Sequence, residues 1–431
     1  MNYEKIENKK TGESVLSAVH KSGLRIYIVP KAGFSKYYAI YGTDYGSCTR
    51  EFVADGENKK TCLPDGIAHF LEHKLFEEEG GGNAFDRFSA TGANANAYTS
   101  FDMTAYLFSC TDGFYENLEI LLDFVNHPYF TDENVAKEQG IIGQEIKMYD
   151  DEPSWRLFFN MLGAMFCENP VKIDIAGTVE SIAEITPELL YKCTDNFYNP
   201  SNMALVMVGD IDEKKAEALI DKYVTKAPIK QIKTFEPKEP EKIAMNFVSQ
   251  KLSVSIPLFM IGFKEKKLFE NGEELQKREI ITELILQMYF GQSGKLYSKL
   301  YNMGLINSSY GTETELEKGY GYSAISGESK NPEAVYEEIK NYIKEISSED
   351  VSKEVLDRAK KVIIGKNLKS FNSVENIGNS FIKRFFKGQN PLVYNEVAQS
   401  ITEDEIKERL LEHFAPENSV LSVVYPIDEQ N

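Results

Sequence analysis

Strand-like stretches, rich in β-branched and aromatic residues, recur in the first half of the chain. They are LRIYIVP at 24–30, YYAIYGTDYG at 37–46, ANAYTSFDMTAYLFSC at 95–110, which predicts a hairpin, and MALVMVG at 203–209. Between them, apolar residues at helical spacing predict helices over 114–125 and 132–149. The pattern therefore predicts strands mixed with packed helices.

The second half follows the same course. Its strand-like stretches are SVSIPLFMIGF at 253–263, a strand pair around GYGYSAISG at 319–327, and VLSVVYP at 420–426. Helical spacing recurs in REIITELILQMYF at 278–290 and over 332–346 and 349–369. The similar order of elements suggests that the chain contains a repeat.

Direct comparison of the two halves supports an internal duplication. DENVAKE at 132–138 matches SEDVSKE at 348–354, which begins 216 residues later. At the same offset, EITPELLYKCTDNFYNPSNMALVMV from 184 matches SITEDEIKERLLEHFAPENSVLSVV from 400. Two blocks that share one offset favour a duplicated domain over a chance match.

The domain organisation follows from this repeat. Residues 225–242, TKAPIKQIKTFEPKEPEK, contain three prolines and many charges, which is typical of a linker. We expect one domain over 1–224 and a second over 243–431. Mostly antiparallel strands packed with helices indicate an α+β fold of two homologous repeats.

Composition excludes several classes of protein. The longest apolar runs are shorter than the ~20 residues that a membrane-spanning helix needs, and the polar start MNYEKIENKKTGES lacks the features of a secretory signal. The five cysteines are widely spaced, without a CxxC pair, which argues against a disulfide framework. A net charge of −19 without a basic run argues against nucleic acid as a partner. We therefore expect a soluble, cytoplasmic protein with no membrane partner.

Chemistry enters with GIAHFLEHKLF at 66–76. This stretch holds two of the chain's five histidines, and Glu72 lies beside the second. On a helix, His69 and His73 stand four positions apart on one face and can direct both imidazoles at one point. Two nitrogen donors with room for a carboxylate and a water suit Zn²⁺, and His-x-x-Glu-His is the inverse of the common zincin motif.

The third ligand has more than one candidate. Glu138 and Glu145 share a face of the helix predicted over 132–149, but they stand about 10 Å apart along its axis. One would bind the ion and the other would orient a histidine ring. Asp150 and Asp151 are also candidates, and spacing alone does not choose among these residues.

HFLEHKLF at 69–76, NAYTSFDMTAY at 96–106 and the helix with Glu138 and Glu145 together resemble the insulinase/pitrilysin family of zinc metallopeptidases, which includes the mitochondrial processing peptidases. The resemblance covers almost the whole chain. It implies that the two repeats form half of a closed peptidase chamber, with the zinc site on the first repeat and a noncatalytic second repeat.

The resemblance also implies residue roles. It places Glu145 at the third zinc ligand, Glu138 at the acidic residue two turns earlier, and Glu72 at the catalytic base. NAYT at 96–99 matches the strand that receives the substrate in this family. Asn96, Ala97 and Tyr98 would then bind an extended peptide by strand addition.

The second repeat departs from the family pattern. Family members commonly supply an arginine and a tyrosine near a glycine-leucine turn in this half. Gly304 and Leu305 are present, but Asn307 stands in the tyrosine's place and no arginine lies between Arg278 and Arg358. Lys299, Tyr301 and Tyr310 are the candidate substitutes.

The sequence thus predicts a Zn²⁺-dependent endopeptidase acting on extended or unfolded peptides, active as a dimer, possibly with a related partner subunit. Two other hypotheses remain open. One is a noncatalytic scaffold or chaperone-like subunit of a peptidase-like assembly, and the other is a structural zinc site closed by four protein ligands.

Overall fold

The computed structural model describes residues 1–228 and 231–427 of the 431-residue chain. The strands of the first repeat are β1 (Glu4–Glu7), β2 (Ser14–Val19), β3 (Arg25–Pro30), β4 (Tyr37–Thr43), β5 (Glu51–Val53), β6 (Lys60–Cys62), β7 (Asn94–Thr99), β8 (Thr104–Cys110), β9 (Met203–Gly209) and β10 (Lys233–Thr234). Its helices are α1 (Ile67–Leu75), α2 (Ala84–Thr91), α3 (Phe114–Asn126), α4 (Asp132–Asp150), α5 (Pro153–Met165), α6 (Val179–Ile182), α7 (Pro187–Asn196) and α8 (Glu213–Tyr223).

The second repeat has fewer strands and a similar set of helices. Its strands are β11 (Phe247–Leu252), β12 (Leu258–Lys264), β13 (Gly311–Leu316), β14 (Gly321–Glu328) and β15 (Ser419–Pro426). Its helices are α9 (Gly272–Ile285), which continues into a π-helical turn at Leu286–Phe290, α10 (Lys295–Asn302), α11 (Pro332–Ser348), α12 (Lys353–Ser370), α13 (Val374–Phe386), α14 (Tyr394–Ser400) and α15 (Glu403–His413).

Each repeat builds one large, mostly antiparallel sheet. The first has the order β1-β2-β3-β9-β4-β8-β7, with β3 and β9 parallel, and a small sheet β10-β5-β6 accompanies it. The second has the order β11-β15-β12-β14-β13, with β11 and β15 parallel. The strands β7 and β13 occupy equivalent edges. The α+β class and the two repeats expected from the sequence are confirmed.

Local sequence explains why matching blocks form matching elements. Thr186 and Thr402 cap α7 and α15, because each side chain accepts a hydrogen bond from the backbone N–H three residues later. Proline then opens a short 3-10 turn at Pro200–Asn202 and at Pro416–Asn418. The apolar strands β9 and β15 follow, and each lies mostly buried between two neighbouring strands of its sheet.

The chain divides into two compact units, and each unit includes one helix from the sequence of the other repeat. The first comprises residues 1–146, 174–236 and 370–386, and the second comprises 147–173, 237–369 and 387–431. The continuous domains expected over 1–224 and 243–431 differ from these units because α5 belongs with the second sheet and α13 with the first.

Glycines let the exchanged helices approach the sheets closely. In the second unit, α5 lies against β12 at Gly262, where an added Cβ would come within 2.4 Å of Met165. In the first unit, α13 lies against β4 at Gly42, where an added Cβ would come within 2.8 Å of Ile382. These long-range packing contacts, which hydrophobic periodicity does not report, set the unit boundaries.

The expected linker, 225–242, includes two residues outside the described ranges and is partly built into the fold. Residues 233–234 form β10, which pairs with β5. Further on, Glu239 accepts hydrogen bonds from the backbone N–H groups of Cys167, Glu168 and Asn169 and pairs with the buried Lys264. Lys264 also donates to the carbonyls of Pro240 and Lys242. This end of the segment is therefore fixed to the second unit.

Each unit has its own apolar core between its sheet and its helices. Phe70 and Leu71 of α1 belong to the same core as Tyr106 and Phe108 of β8, which fixes α1 against the first sheet. Among the described residues, none of the helices combines the length and the apolar content needed to cross a membrane.

Candidate active site

The helix α1 carries the histidine motif, and its start is fixed by Gly66. This residue has φ of 90°, and an added Cβ would lie 2.4 Å from the carbonyl oxygen of Ala176. Glycine permits both the positive φ and the close approach. The chain therefore enters α1 at one defined orientation, which sets the direction of His69 and His73 one and two turns later.

The structure brings His69, His73 and Glu145 together. One ligand atom from each lies within 4.8 Å of those of the other two. Nε2 of His69 is 3.7 Å from Oε1 of Glu145, and Nε2 of His73 is 3.6 Å from Oε2 of the same carboxylate. The helices α1 and α4 thus converge on one point from two sides of the site.

These distances suit a shared metal ion better than direct hydrogen bonds. An N–H···O bond is normally 2.7–3.2 Å long, shorter than either separation. Ligands about 2.0–2.1 Å from a tetrahedral zinc lie about 3.4 Å from one another, close to the distances seen here. The three donors are therefore spaced so that they could hold a metal ion, and a three-ligand set would leave a fourth position for water or substrate.

Glu138 contacts the other ring nitrogen of His73. Its Oε1 lies 3.1 Å from Nδ1 of His73, on the side of the ring away from Glu145. Burial raises the pKa of Glu138, but the hydrogen bond to His73 and the nearby Lys74 more than offset this, so the net pKa is lowered. The ionised carboxylate holds the proton on Nδ1 of His73 and leaves Nε2 as the donor atom.

The two histidines differ in their tendency to protonate. Burial lowers the pKa of His69 from 6.5 to about 4, helped by the neighbouring His73, so His69 is neutral near pH 7. Burial also opposes the charged form of His73, but the hydrogen bond to Glu138 and the surrounding carboxylates raise its pKa overall. A cation at the site would compete with this proton.

Glu72 faces the same region from α1 and has a partner on the edge strand. The Thr99 hydroxyl donates a hydrogen bond of 2.6 Å to Oε2 of Glu72. Burial raises the pKa of Glu72, and the bond from Thr99 partly opposes this. A carboxylate with a raised pKa, held beside a metal site, has the properties of a general base.

The strand β7 places the other predicted residues at the edge of the first sheet. In the described part of the chain, β7 pairs with β8 and its other edge is unpaired. The Asn96 side-chain oxygen accepts a hydrogen bond of 2.9 Å from the N–H of Ala97. The Tyr98 hydroxyl instead bonds to Asn379 of α13. The Ala97 N–H is thus bonded by the Asn96 side chain, and the Tyr98 side chain is engaged within the fold.

Two of the sequence candidates for the third zinc ligand lie outside the histidine site, and one contact within the site was not predicted from the sequence. Asp150 ends α4 and faces Arg156 at 3.6 Å, and neither it nor Asp151 joins the group formed by the two histidines and Glu145. The Thr99 contact with Glu72 was not predicted. The NAYT segment gave a signal for it, because Thr99 follows the predicted substrate residues on the same strand.

In the second unit, the segment 293–312 has mainly structural contacts. Gly304, with φ of 69°, ends α10. Asn307 donates to Glu328 at 2.6 Å and caps the turn at Ser309. Of the candidate substitutes, Lys299 pairs with Glu338 at 2.6 Å, Tyr310 is buried and Tyr301 is 54% exposed.

Comparison with known proteins identifies relatives along the whole chain. The family described as insulinase (peptidase family M16) matches residues 56–179, which include the histidine motif and Glu138 and Glu145 of α4. The family described as the peptidase M16 inactive domain matches residues 184–363, which run from the end of the first repeat through the linker into the second repeat. The histidine motif and its carboxylates therefore lie in the part of the chain that matches the insulinase model.

Individual relatives extend this similarity. The chain is 41% identical to the uncharacterized zinc protease YmfH of Bacillus subtilis over 98% of its own length and 99% of that protein. It resembles the structure of a protein described as an M16-like peptidase from Alicyclobacillus acidocaldarius, with a TM-score of 0.91, 33% identity and 99% of both chains covered. The first half of the periplasmic protease PqqL from Escherichia coli shares the fold, with a TM-score of 0.73, 18% identity, and 99% of this chain and 94% of that chain covered.

Proposed function

The chain belongs to the M16 (insulinase) family of peptidases, whose relatives include proteins named zinc proteases, and we propose that it is a zinc endopeptidase acting on extended or unfolded peptides. The observation that carries this proposal is the convergence of His69, His73 and Glu145, with Glu72 adjacent. This arrangement pairs a three-ligand site with a nearby base, as expected for a hydrolytic metal centre.

Each residue has a defined task in this proposal. Nε2 of His69, Nε2 of His73 and the Glu145 carboxylate would hold Zn²⁺. When bound, zinc lowers the pKa of a water ligand and polarises the carbonyl of the scissile bond. Glu138 keeps His73 in the tautomer that presents Nε2. Glu72 takes a proton from the attacking water and later delivers it to the leaving amine, while Thr99 fixes its orientation.

We place the substrate on the unpaired edge of β7. A peptide added as a further strand would be recognised mainly through its backbone, which allows many sequences to be accepted. The Asn96 side chain now bonds the N–H of Ala97 and would have to move if a substrate carbonyl takes that position. The acidic charge of the chain favours basic peptides in the initial encounter.

A partner subunit completes the proposal. No arginine occurs between Arg278 and Arg358, and the partly buried Arg278 is engaged with Glu265 at 2.8 Å. We therefore propose an active dimer in which a related but different chain supplies groups that stabilise the tetrahedral intermediate.

A noncatalytic scaffold is the competing function. A scaffold would not need Glu138, which lies beside Lys74, to orient the His73 ring. Nor would it need Thr99 to orient Glu72. We favour the enzyme for this reason. The described cysteines are free thiols, which suits a reducing compartment, and we propose a cytoplasmic location.

Metal analysis joined to a cleavage assay tests the function. The tagged chain, isolated from its native cells with any partner attached, should contain about one zinc per chain and cleave an unstructured fluorogenic peptide. A chelator should abolish cleavage, and added zinc should restore it. Cleavage that persists after zinc has been removed would contradict the proposal.

A further inference from the structure

Adjacent residues of β7 are held on opposite faces of the first sheet. Thr99 bonds to Glu72 of α1 at 2.6 Å, whereas Tyr98 bonds to Asn379 of α13 at 3.2 Å. Successive side chains of a strand point to opposite faces, so both bonds act on one short piece of backbone. The position of that backbone therefore depends on α13 as well as on α1.

An edge strand needs such support more than an interior strand does. In the described residues, β7 forms a backbone ladder only with β8 and is unpaired on its other side. Local opening costs less where fewer contacts must break. Side-chain bonds near Thr99 therefore contribute a larger share of the order of β7 than they would in β4 or β9.

Asn379 is itself fixed by an interior strand. Its Nδ2 donates to the hydroxyl of Tyr38 at 2.9 Å and to the carbonyl of Glu375 at 2.9 Å, which leaves Oδ1 to accept from Tyr98. Tyr38 is buried on β4, and Gly378 lies so close to its ring that an added Cβ would be 2.4 Å away. The amide thus links the edge strand to a rigid part of the sheet.

We propose that Asn379 is a positioning residue for the substrate edge: through Tyr98 it fixes β7, and through the adjacent Thr99 it supports the orientation of Glu72. The catalytic part of this inference rests on the proposed peptidase function. The inference also means that α13, which comes from the second repeat in sequence, contributes to the site on the first.

Three variants test the inference. Tyr98→Phe removes only the hydroxyl, and Asn379→Leu removes the amide at similar volume. Asn376→Leu alters an exposed asparagine of the same helix and serves as the matched control. Each is compared with the wild type by zinc content, thermal unfolding, hydrogen exchange of the peptide that contains residues 94–99, and steady-state kinetics on an unstructured fluorogenic peptide.

We expect Tyr98→Phe and Asn379→Leu to accelerate exchange over 94–99 and to raise KM by about 2- to 10-fold, the effect of one lost hydrogen bond, with zinc retained. The double variant should lose no more than the larger single effect, because both changes break the same bond. A purely structural role would lower the active fraction, and with it the apparent kcat, while exchange over 94–99 and KM stay unchanged.

Different outcomes test the positioning role of Asn379 and the proposed peptidase function separately. Wild-type exchange and wild-type KM in both variants, or equal changes in Asn376→Leu, would overturn the positioning role. If exchange is faster in the two variants but the wild type itself never cleaves peptide, the anchor on β7 is retained and the proposed peptidase function is overturned.

Discussion

Nδ1 of His73 lies 3.1 Å from Glu138, while Nε2 of the same ring faces Glu145 at 3.6 Å. One imidazole therefore separates two glutamates with different tasks, although both stand on one face of α4. Glu138 fixes the ring, and Glu145 lies where the two Nε2 atoms converge. Spacing alone does not choose between the two glutamates, and only the resemblance to the insulinase/pitrilysin family implies that Glu145 is the ligand.

The first prediction ranks these glutamates by metal affinity. Glu145→Gln replaces a charged ligand, whereas Glu138→Gln keeps all three donors and weakens only the support of His73. We expect Glu138→Gln to lower zinc affinity by about 10- to 100-fold and Glu145→Gln to lower it further. Competition with a zinc chelator measures both, and the reverse order would exchange the two roles.

The second prediction concerns Thr99. Thr99→Val removes the hydroxyl that lowers the pKa of Glu72, so that pKa should rise further. A base must be deprotonated to act, so the acid limb of the kcat/KM profile should move to higher pH, and activity should fall by about 10-fold or more. Thr99→Ser keeps the hydroxyl and is the control. A Thr99→Val profile that coincides with the wild type would remove Thr99 from the account.

The third prediction concerns acid stability in the second unit. His413 is buried, and its Nε2 lies 2.8 Å from the Ser323 hydroxyl. Burial holds the pKa of His413 well below its usual range, and the neighbouring Arg409 lowers it further. The unfolded chain binds this proton below about pH 6.5 but the folded chain does not, so stability is lost as pH falls, by up to about 1.4 kcal/mol per pH unit.

Denaturant unfolding between pH 7.5 and 5.5 measures this loss of stability. This pH range lies above the one in which the ion pairs of Glu265 begin to titrate. His413→Gln should flatten the dependence of the free energy of unfolding on pH, whatever its effect at pH 7.5. His127→Gln, at a histidine whose side chain is 61% exposed, serves as the surface control. An equal slope in His413→Gln and the wild type would contradict the assignment.

The fourth prediction concerns the partner. The purified single chain should cleave peptide slowly, and addition of the related partner should raise kcat, because the segment 293–312 supplies no arginine. Native mass measurement should show both chains in the active species. Full activity from a preparation in which that measurement finds only this chain would rule out the required partner and leave the zinc site intact.

Local pattern predicted the elements that carry the site. Helical spacing of apolar residues identified α4 over nearly its whole length, and the β-branched and aromatic content of 95–110 identified the β7–β8 hairpin. The His-x-x-Glu-His spacing selected His69, Glu72 and His73 because a helix alone brings them together.

What the sequence missed depends on contacts far apart in the chain. Tyr98 and Asn379 are 281 residues apart, and neither has a local feature that identifies the other. The exchange of α5 and α13 also arises from glycine-permitted packing between a helix and a sheet strand distant in sequence. Such pairings are set by tertiary structure, so periodicity could not reveal them.

Glu72→Gln provides the most direct test of the central claim. The variant keeps the shape of the side chain and all three proposed zinc ligands, and removes only the capacity to accept a proton. Measured on the same preparation, zinc content should equal that of the wild type while peptide cleavage falls by at least about 100-fold. Wild-type cleavage by a zinc-loaded Glu72→Gln variant would show that Glu72 is not the base and would contradict the mechanism.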